Sequence, residues 1–505
     1  MDAAAEFGRL SGVFYSGGSF LPSAGERRTV LDPATAKPIG EFADVTAEEA
    51  DQVVTTANAA QKAWWAESAL HRSELMHEVA REMHRLAPEL AELLTRETGK
   101  PYKESRDELT WSISATDYYA ELGRHSHGSV LGPSVAGQLH YTLKEPMGVV
   151  VVILPANFPL LLLMWEAAAA LAAGNAVIVK PSEWASLTTL KFMEVFTALP
   201  AGLVQCVPGG GQVGDRLVRH PQTHMVGFTG SVPTGQAIAK ACAEQFKPHL
   251  IEASGNDAFV VMPSAPLRTA ARAAAFAAFL NCGQVCTSAE RIYVHTDVYD
   301  EFADLLVEEA AKLRIGSGLG AVDLGPMEHA EERDRYERIL ARAVEQGAKV
   351  VHGGGRPLDL PEENRDGFFV EPTVLVNVTP DMEVMQAEIF GPLAPLCRVE
   401  SFDEALKLTN ASLVGLGATV YTTDLQEVHR ATTEIATGMV WINAPLLDND
   451  AGPFGGRKLS GFGRQLGAEG LDTFRHTKLV MIDPAASEHD FWWFPYSDDE
   501  AFPQD

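Results

Sequence analysis

The chain has 505 residues, 46% hydrophobic and 21% charged, and 40 Lys and Arg against 68 Asp and Glu give a net charge of −28. That length exceeds what one core organises, so two large domains with accessory pieces are expected of an otherwise ordinary globular composition. The acidic balance argues against non-specific binding to nucleic acid or an anionic membrane, and five cysteines without framework spacing fit a reducing compartment.

In chain order, Met1-Asp2-Ala3-Ala4-Ala5-Glu6 lacks a basic region and an apolar core, so no signal peptide is read and a cytosolic placement is expected. Thr46–Thr98 reads as two long helices, and Ser126–Lys144 as a hairpin around Gly132-Pro133. The longest apolar run, Val149 to Trp165, is interrupted by Pro155, Asn157 and Pro159, which excludes a simple membrane span. From Met147 onward, strand-like runs alternate with helical patterns: Gly148–Leu154, Ala176–Lys180, Leu203–Val207, Met225–Phe228 and His249–Glu252, with helices such as Leu160–Ala173 and Pro233–Phe246 between them. Near-continuous apolar strands joined by crossover helices predict a parallel sheet covered on both faces, hence a doubly wound, Rossmann-like domain. A second alternating set follows at Asp257–Met262, Arg291–His295, Lys349–His352, Leu393–Val399, Ala418–Tyr421 and Met439–Asn443, and predicts a second α/β domain. Thr473–Ile482 is a late strand-like run. After Asp483 comes an aromatic cluster, Phe491-Trp492-Trp493-Phe494-Pro495-Tyr496, expected to dock on its own or a neighbouring subunit.

Three segments carry the chemistry. Cys286 closes Asn281-Cys282-Gly283-Gln284-Val285-Cys286, a loop-like stretch behind an alanine-rich helix. Asn157, in Pro155-Ala156-Asn157-Phe158-Pro159, is a neutral donor on a constrained turn, and Glu252 ends the apolar run Leu250-Ile251-Glu252. A nucleophile, an oxyanion donor and a general base, with nucleotide-binding signals between them, spell acyl chemistry through a thioester. Gly227-Phe228-Thr229-Gly230-Ser231-Val232-Pro233-Thr234-Gly235 follows a strand and opens a helix, where free N–H groups can meet a pyrophosphate. Gly209-Gly210-Gly211 reads as a plain turn. No His/Cys/Asp cluster has metal-ligand spacing, so no metal is expected.

These segments, with Lys180-Pro181-Ser182-Glu183, Glu388-Ile389-Phe390-Gly391-Pro392 and Pro453-Phe454-Gly455-Gly456-Arg457-Lys458, make the chain resemble the NAD(P)-dependent, non-phosphorylating aldehyde dehydrogenase superfamily from about Pro33 to about Ile482. The resemblance implies oxidation of an aldehyde to its acid, with Cys286 as nucleophile, Asn157 and the Cys286 N–H as oxyanion donors and Glu252 as base. It also implies cofactor contacts by Lys180, Ser182, Glu183, Gly230, Ser231, Thr234, Glu388 and Phe390. A carboxylate at Glu183, on the adenine ribose, favours NAD over NADP. Leu161, Leu162, Trp165, Asp448 and Phe454 are expected along the substrate channel, and the acidic loop Asp448-Asn449-Asp450 raises a cationic aldehyde as one option beside neutral ones.

Two Rossmann-like α/β domains plus a small β element are implied: cofactor-binding at 1–125 and 147–254, catalytic at 255–459, and an oligomerisation element at 126–146 and 460–484 that pairs across a homodimer or homotetramer, followed by the tail at 485–505. The chain departs from the family pattern at Ser254, where glycine normally leaves room beside the nicotinamide, and at Glu166, where many relatives carry a basic residue. Glu166 is either a proton relay or an exposed side chain. Cys282 is either a partner for a reversible disulfide or a spare thiol. A CoA-acylating semialdehyde dehydrogenase and a catalytically silent binding protein of the same fold are the alternatives; Glu252 speaks against the first and the intact Cys–Asn–Glu set against the second.

Overall fold

The computed structural model describes residues 2–125, 127–488 and 493–495; half of the aromatic cluster expected at 491–496 lies outside them. An eight-stranded sheet runs in the order Ser19–Pro22, Val13–Ser16, Val204–Cys206, Ala176–Lys180, Val149–Ile153, Met225–Gly230, His249–Ala253 and Gly461–Phe462. Its middle strands are parallel, while the amino-terminal hairpin and the late strand Gly461–Phe462 add antiparallel edges. Every residue of Val149–Ile153 and Ala176–Lys180 is buried, as a sheet covered on both faces requires.

A seven-stranded sheet follows: Lys349–His352, Thr373–Val378, Leu393–Val399, Ala289–His295, Asp257–Val261, Ala418–Tyr421 and Trp441–Ile442, parallel except for the first pair. Its apolar core is a cluster of its own, distinct from the one around the first sheet. Strands Val130–Leu131, Leu139–Pro146 and Arg475–Ile482 form a small antiparallel sheet, with Arg475 opposite Pro146 and Ile482 opposite Leu139.

The two long amino-terminal helices are Ala47–Ala66 and Ala69–Thr98. The first opens on a capping box in which Thr46 and Glu49 satisfy each other's backbone N–H groups; the second stops at Gly99, in left-handed backbone. Sequence patterning missed a third helix, Tyr102–His125, the hairpin Arg27–Asp32/Lys37–Ala43 and the strand Thr373–Val378. Helix Tyr102–His125 is polar in average character, and the hairpin strands mix exposed, half-buried and buried positions without alternation, so neither gives a clear apolar period. Among the described residues no helix is long and apolar enough to cross a membrane.

Candidate active site

The helix Leu267–Phe279 buries Ala270, Ala271, Ala274, Ala275, Ala277 and Ala278, small residues that let it lie close to the second sheet. It leads straight into the cysteine loop. Asn281, Cys282 and Gly283 take φ values of 49°, 56° and 71° in succession. Left-handed backbone costs a non-glycine residue on the order of 1 kcal/mol, and here hydrogen bonds hold it. The Asn281 N–H donates to Glu104 Oε2 (3.1 Å), its side-chain amide to the carbonyls of Asn157 (3.2 Å) and Gln284 (3.3 Å), and Gln284 Nε2 to the Asn281 carbonyl (3.0 Å). Gln284 Oε1 in turn accepts from the Glu328 N–H at 3.0 Å. From the other side the chain at Gly255 presses against Cys286: a Cβ there would stand 1.8 Å from the Cys286 carbonyl oxygen. Asn281, Gln284 and Gly255 therefore serve to fix one backbone path.

Asn157 sits between the strand Val149–Ile153 and the helix Pro159–Ala172. Its amide donates to the Gln284 carbonyl at 3.1 Å, and its Oδ1 is buried without a partner. The helix start has a proline in its first turn but no side-chain cap of its own. Glu108 supplies the cap from another helix, accepting the N–H groups of Leu160 (2.8 Å) and Leu161 (3.2 Å). Its other oxygen meets Lys100 Nζ at 2.6 Å, both side chains being fully buried, and Lys100 also donates to the Asn157 carbonyl. The ammonium lies 4.3 Å from the centre of the Phe158 ring. Sequence inspection did not find Lys100, Glu104 or Glu108 as site residues.

Glu252 is buried on the strand His249–Ala253, with Oε1 unpartnered. Burial first, then the charges of Glu388 and Glu166, push its carboxyl well above the ordinary range, while the Cys286 thiol acts the other way. The Cys286 thiol is itself pushed up, by burial and then by Glu252, Asp257, Asp448 and Glu388. The protein's own groups therefore hold the thiol in its protonated form. A partner able to take that proton must lie close, and Glu252 does.

Glu166 is buried, not exposed. It fills the space a side chain on Gly227 would need, its Oε2 lying 1.7 Å from that ideal Cβ position. Its Oε1 accepts from Gln465 Nε2 at 2.7 Å and Thr229 Oγ1 at 3.4 Å, and burial raises its carboxyl to about 8. Thr229 stands opposite Glu252 on the neighbouring strand, so Glu166 lies behind Glu252. Cys282 and Cys286 are both free thiols; Cys282 is buried and Cys286 half-buried.

A cavity of about 540 Å³ opens above Cys286 and Asn157. Leu161, Leu162, Trp165, Asp448 and Phe454 line it, joined by Asp450 of the same acidic loop and by Trp111 and Phe276, which the sequence did not single out. Trp165 and Phe454 pack at 4.8 Å between ring centres. Asp448 is open to the cavity, yet enough protein surrounds it to raise its carboxyl to about 7, with Asp450 adding to the shift. Among the described residues neither aspartate has an ion-pair partner; Asp450 accepts a hydrogen bond from Ser114.

Of the predicted cofactor residues, Lys180, Ser182, Glu183, Gly230, Ser231 and Thr234 lie at or just after the carboxyl ends of strands of the first sheet, and Glu388 and Phe390 precede the strand Leu393–Val399 of the second. Lys180 and Thr234 line a second cavity of about 170 Å³ with Ile153, Gly211, Gly214 and Ile238. A Cβ on Gly211 would project into open space, and one on Gly214 would meet only Ile153, so the backbone there leaves room beside the cavity. Gly230 ends its strand and Ser231 precedes the helix Val232–Ala243, whose first turn has no side-chain cap; Ser231 Oγ bonds Thr234 Oγ1 at 3.0 Å. This end fits a pyrophosphate. Ser182 accepts from the Trp184 N–H and Glu183 begins the same short turn. Glu388 accepts the Gly255 N–H at 3.2 Å, and burial and then Glu290 raise it to about 8, Ser254 pulling it down by hydrogen bonding. The hydroxyl of Ser254 thus turns towards Glu388. Phe390 (φ 48°) is held through its N–H by Glu290 Oε1 at 2.7 Å. Among the described residues no group of His, Cys, Asp and Glu is arranged to hold a metal.

Fold and site together define a dinucleotide-dependent enzyme that works through a cysteine. Residues 20–480 match the model of the aldehyde dehydrogenase family. The chain is 35% identical over 458 residues to 3,6-anhydro-alpha-L-galactose dehydrogenase of Vibrio sp. (strain EJY3), covering 90% of this chain and 95% of that one. It is 34% identical over 499 residues to aminoaldehyde dehydrogenase 2 of Pisum sativum, covering 95% and 97%. Among solved structures, betaine aldehyde dehydrogenase from Staphylococcus aureus in complex with NAD+ superposes with a TM-score of 0.93 at 30% identity, over 97% of this chain and 98% of that one. The chain belongs to the aldehyde dehydrogenase family and is an NAD(P)-dependent oxidoreductase acting on aldehydes.

Proposed function

We propose that Cys286 is the nucleophile, Asn157 the oxyanion donor and Glu252 the base of this chain's aldehyde oxidation, with NAD as the preferred cofactor. The observation that carries this is that Asn157 and Cys286 line one cavity walled by apolar and aromatic residues, with the buried Glu252 carboxyl in hydrogen-bond contact with the Cys286 thiol. Glu252 takes the Cys286 proton as sulfur bonds to the carbonyl carbon, and the amide of Asn157 and the N–H of Cys286 meet the oxygen as it gains charge. A preorganised donor of this kind lowers the barrier by roughly 3–4 kcal/mol. NAD, when bound with Lys180 and Glu183 at its ribose and Glu388 at its other end, supplies the acceptor for the hydride that leaves the carbon. The thioester that remains is hydrolysed: Glu252, having released the thiol proton to solvent, removes a proton from water, water oxygen bonds to carbon, the carbon–sulfur bond breaks, the leaving sulfur regains a proton from Glu252, and the acid departs as a carboxylate with its own proton lost to solvent. Glu183 near the ribose edge disfavours a 2′-phosphate, which is the reason for preferring NAD.

The cavity wall supports a substrate class. Relatives named for anionic aldehydes and for cationic ones match at similar identity: 3-sulfolactaldehyde dehydrogenase of Pseudomonas putida at 36% and betaine aldehyde dehydrogenase of Bacillus subtilis at 33%. Overall similarity does not choose between them; Asp448 and Asp450, facing an aromatic-walled cavity without ion-pair partners among the described residues, support the cationic class. An ammonium there gains both ion pairing and cation–π contact with Trp111, Trp165 or Phe276. The test is acid and NADH formation, without CoA, across aldehydes of one length carrying an ammonium, a neutral or a carboxylate terminus. The ammonium aldehyde is expected to lead, and Asp448→Asn to lower its kcat/KM roughly tenfold, about 1.4 kcal/mol, with the neutral aldehyde changed far less. No charge preference in wild type would retire the substrate class while leaving the chemistry standing.

A further inference from the structure

The carboxylate expected to exclude NADP is not alone. Arg28, on the hairpin strand Arg27–Asp32, reaches over to the ribose rim: its guanidinium stands 3.1 Å from Glu183 Oε2 and 2.6 Å from Asp44 Oδ2. Asp44 is held a second time, accepting the Gly210 N–H at 2.7 Å. Gly210 comes close under the pair; a Cβ there would lie 3.0 Å from Glu183 and 3.2 Å from Arg28. Below the guanidinium lies the Phe42 ring, 5.9 Å from Arg28 Cζ to its centre. Lys180, buried one turn away, adds a second basic group beside Glu183.

The two ion pairs of Arg28 differ in what secures them. Asp44 is anchored to backbone and only 21% exposed, whereas Glu183 is 33% exposed and the Arg28 guanidinium is its one hydrogen-bond partner among the described contacts. An exposed pair of this kind is weak and easily exchanged for water. When Glu183 swings away, Arg28 remains tethered to Asp44 through Nη2, and the Nη1 donor that Glu183 held is released. A planar guanidinium offering two parallel N–H groups suits a phosphate better than any other side chain.

We propose that Arg28 is a specificity-determining residue that admits NADP as a second cofactor, binding its 2′-phosphate when Glu183 yields, while Glu183 serves the ribose hydroxyls of NAD. The proposal rests on the reading of Lys180 and Glu183 as the ribose site. Arg28 touches the phosphate and no reacting atom, so it shifts the choice of cofactor, not the chemistry. The side chain is exposed, and its replacement leaves both sheets intact.

Calorimetric binding of 2′,5′-ADP and of 5′-AMP to the full-length enzyme separates the two ideas, alongside kcat/KM with each dinucleotide. Wild type is expected to bind both nucleotides. Arg28→Ala should lower the 2′,5′-ADP to 5′-AMP affinity ratio about tenfold or more, and the NADP to NAD ratio of kcat/KM with it. Arg28→Lys should fall between, and Glu183→Gln should raise both ratios. Added salt should weaken 2′,5′-ADP more in wild type than in Arg28→Ala. A wild type that binds 5′-AMP but not 2′,5′-ADP, or ratios that do not move in Arg28→Ala, overturns the role of Arg28 and leaves the ribose site standing. Failure to bind either nucleotide overturns the ribose site, and the role of Arg28 with it.

Discussion

The two ends of the proposed cofactor path handle the same residue type in opposite ways. At the ribose rim Glu183 and Asp44 share a half-exposed arginine and remain available to a ligand's charge. Around Cys286, Glu252, Glu388, Asp257 and Glu104 are enclosed by protein, and burial is the first cause of every upward shift among them. Solvent makes the difference. At the rim a carboxylate meets solvent and can discriminate between ligands; in the crevice enclosure makes the charged form costly, so a carboxyl there accepts a proton more readily and can carry it. The one buried ammonium near the crevice, Lys100, is matched to Glu108 and spent on backbone geometry.

The sharpest way to break that contrast is at the sulfur. Cys286→Ala is expected to lower aldehyde turnover by about 10³-fold or more, while 5′-AMP binding at the rim stays within reach of wild type. Turnover surviving at wild-type level would end the mechanism. Next in size is Asn157→Ala, which removes an oxyanion donor and should cost about 10²–10³ in kcat with a smaller change in KM; equal losses in both would assign Asn157 to binding.

A third variant asks whether the buried pair positions the donor. Lys100→Met strands Glu108 as an unpaired buried charge, which should destabilise the fold by about 3–5 kcal/mol and lower kcat. Lys100→Met with Glu108→Gln removes both charges and keeps an oxygen for the Leu160 and Leu161 N–H groups. Thermal stability should then recover while kcat stays low, because the Asn157 carbonyl still lacks its ammonium. Recovery of both together would make the pair merely structural.

What the sequence made legible follows the same division. Cys286, Asn157 and Glu252 each sit in a short run constrained by one loop or strand end, so local pattern together with the family resemblance was enough to nominate them. Central strands such as Val149–Ile153 and Ala176–Lys180 announce themselves because burial on both faces leaves them wholly apolar. Lys100, Glu104 and Arg28 act over 57, 177 and 155 residues of chain. Each lies in a segment that by itself looks like a polar helix or an exposed strand. Their role exists only in three dimensions. Glu166 was noticed as an oddity, but whether it faced water or the base depended on the space left by Gly227, which no local pattern states.

The smallest expected effect tests the buried carboxyls as a group through one that touches no proposed reactant. Glu328 lies behind the cysteine loop, has an unpartnered Oε1, and is raised from 4.5 to about 8 by burial, with Lys100 lowering and Glu332 and Glu108 raising it further. Its pKa is higher folded than unfolded, so between those values the native state holds a proton that the unfolded chain gives up. The stabilisation is therefore complete below the unfolded value and is lost as pH rises through about 8. Glu328→Gln puts an uncharged side chain of nearly the same shape in place of that proton. Its Tm should track wild type near about pH 5 and fall less steeply towards about pH 9, so the difference curve bends in the variant's favour. Parallel slopes across the range would mean that Glu328 is ionised in the fold, and that enclosure alone does not decide the charge of these groups.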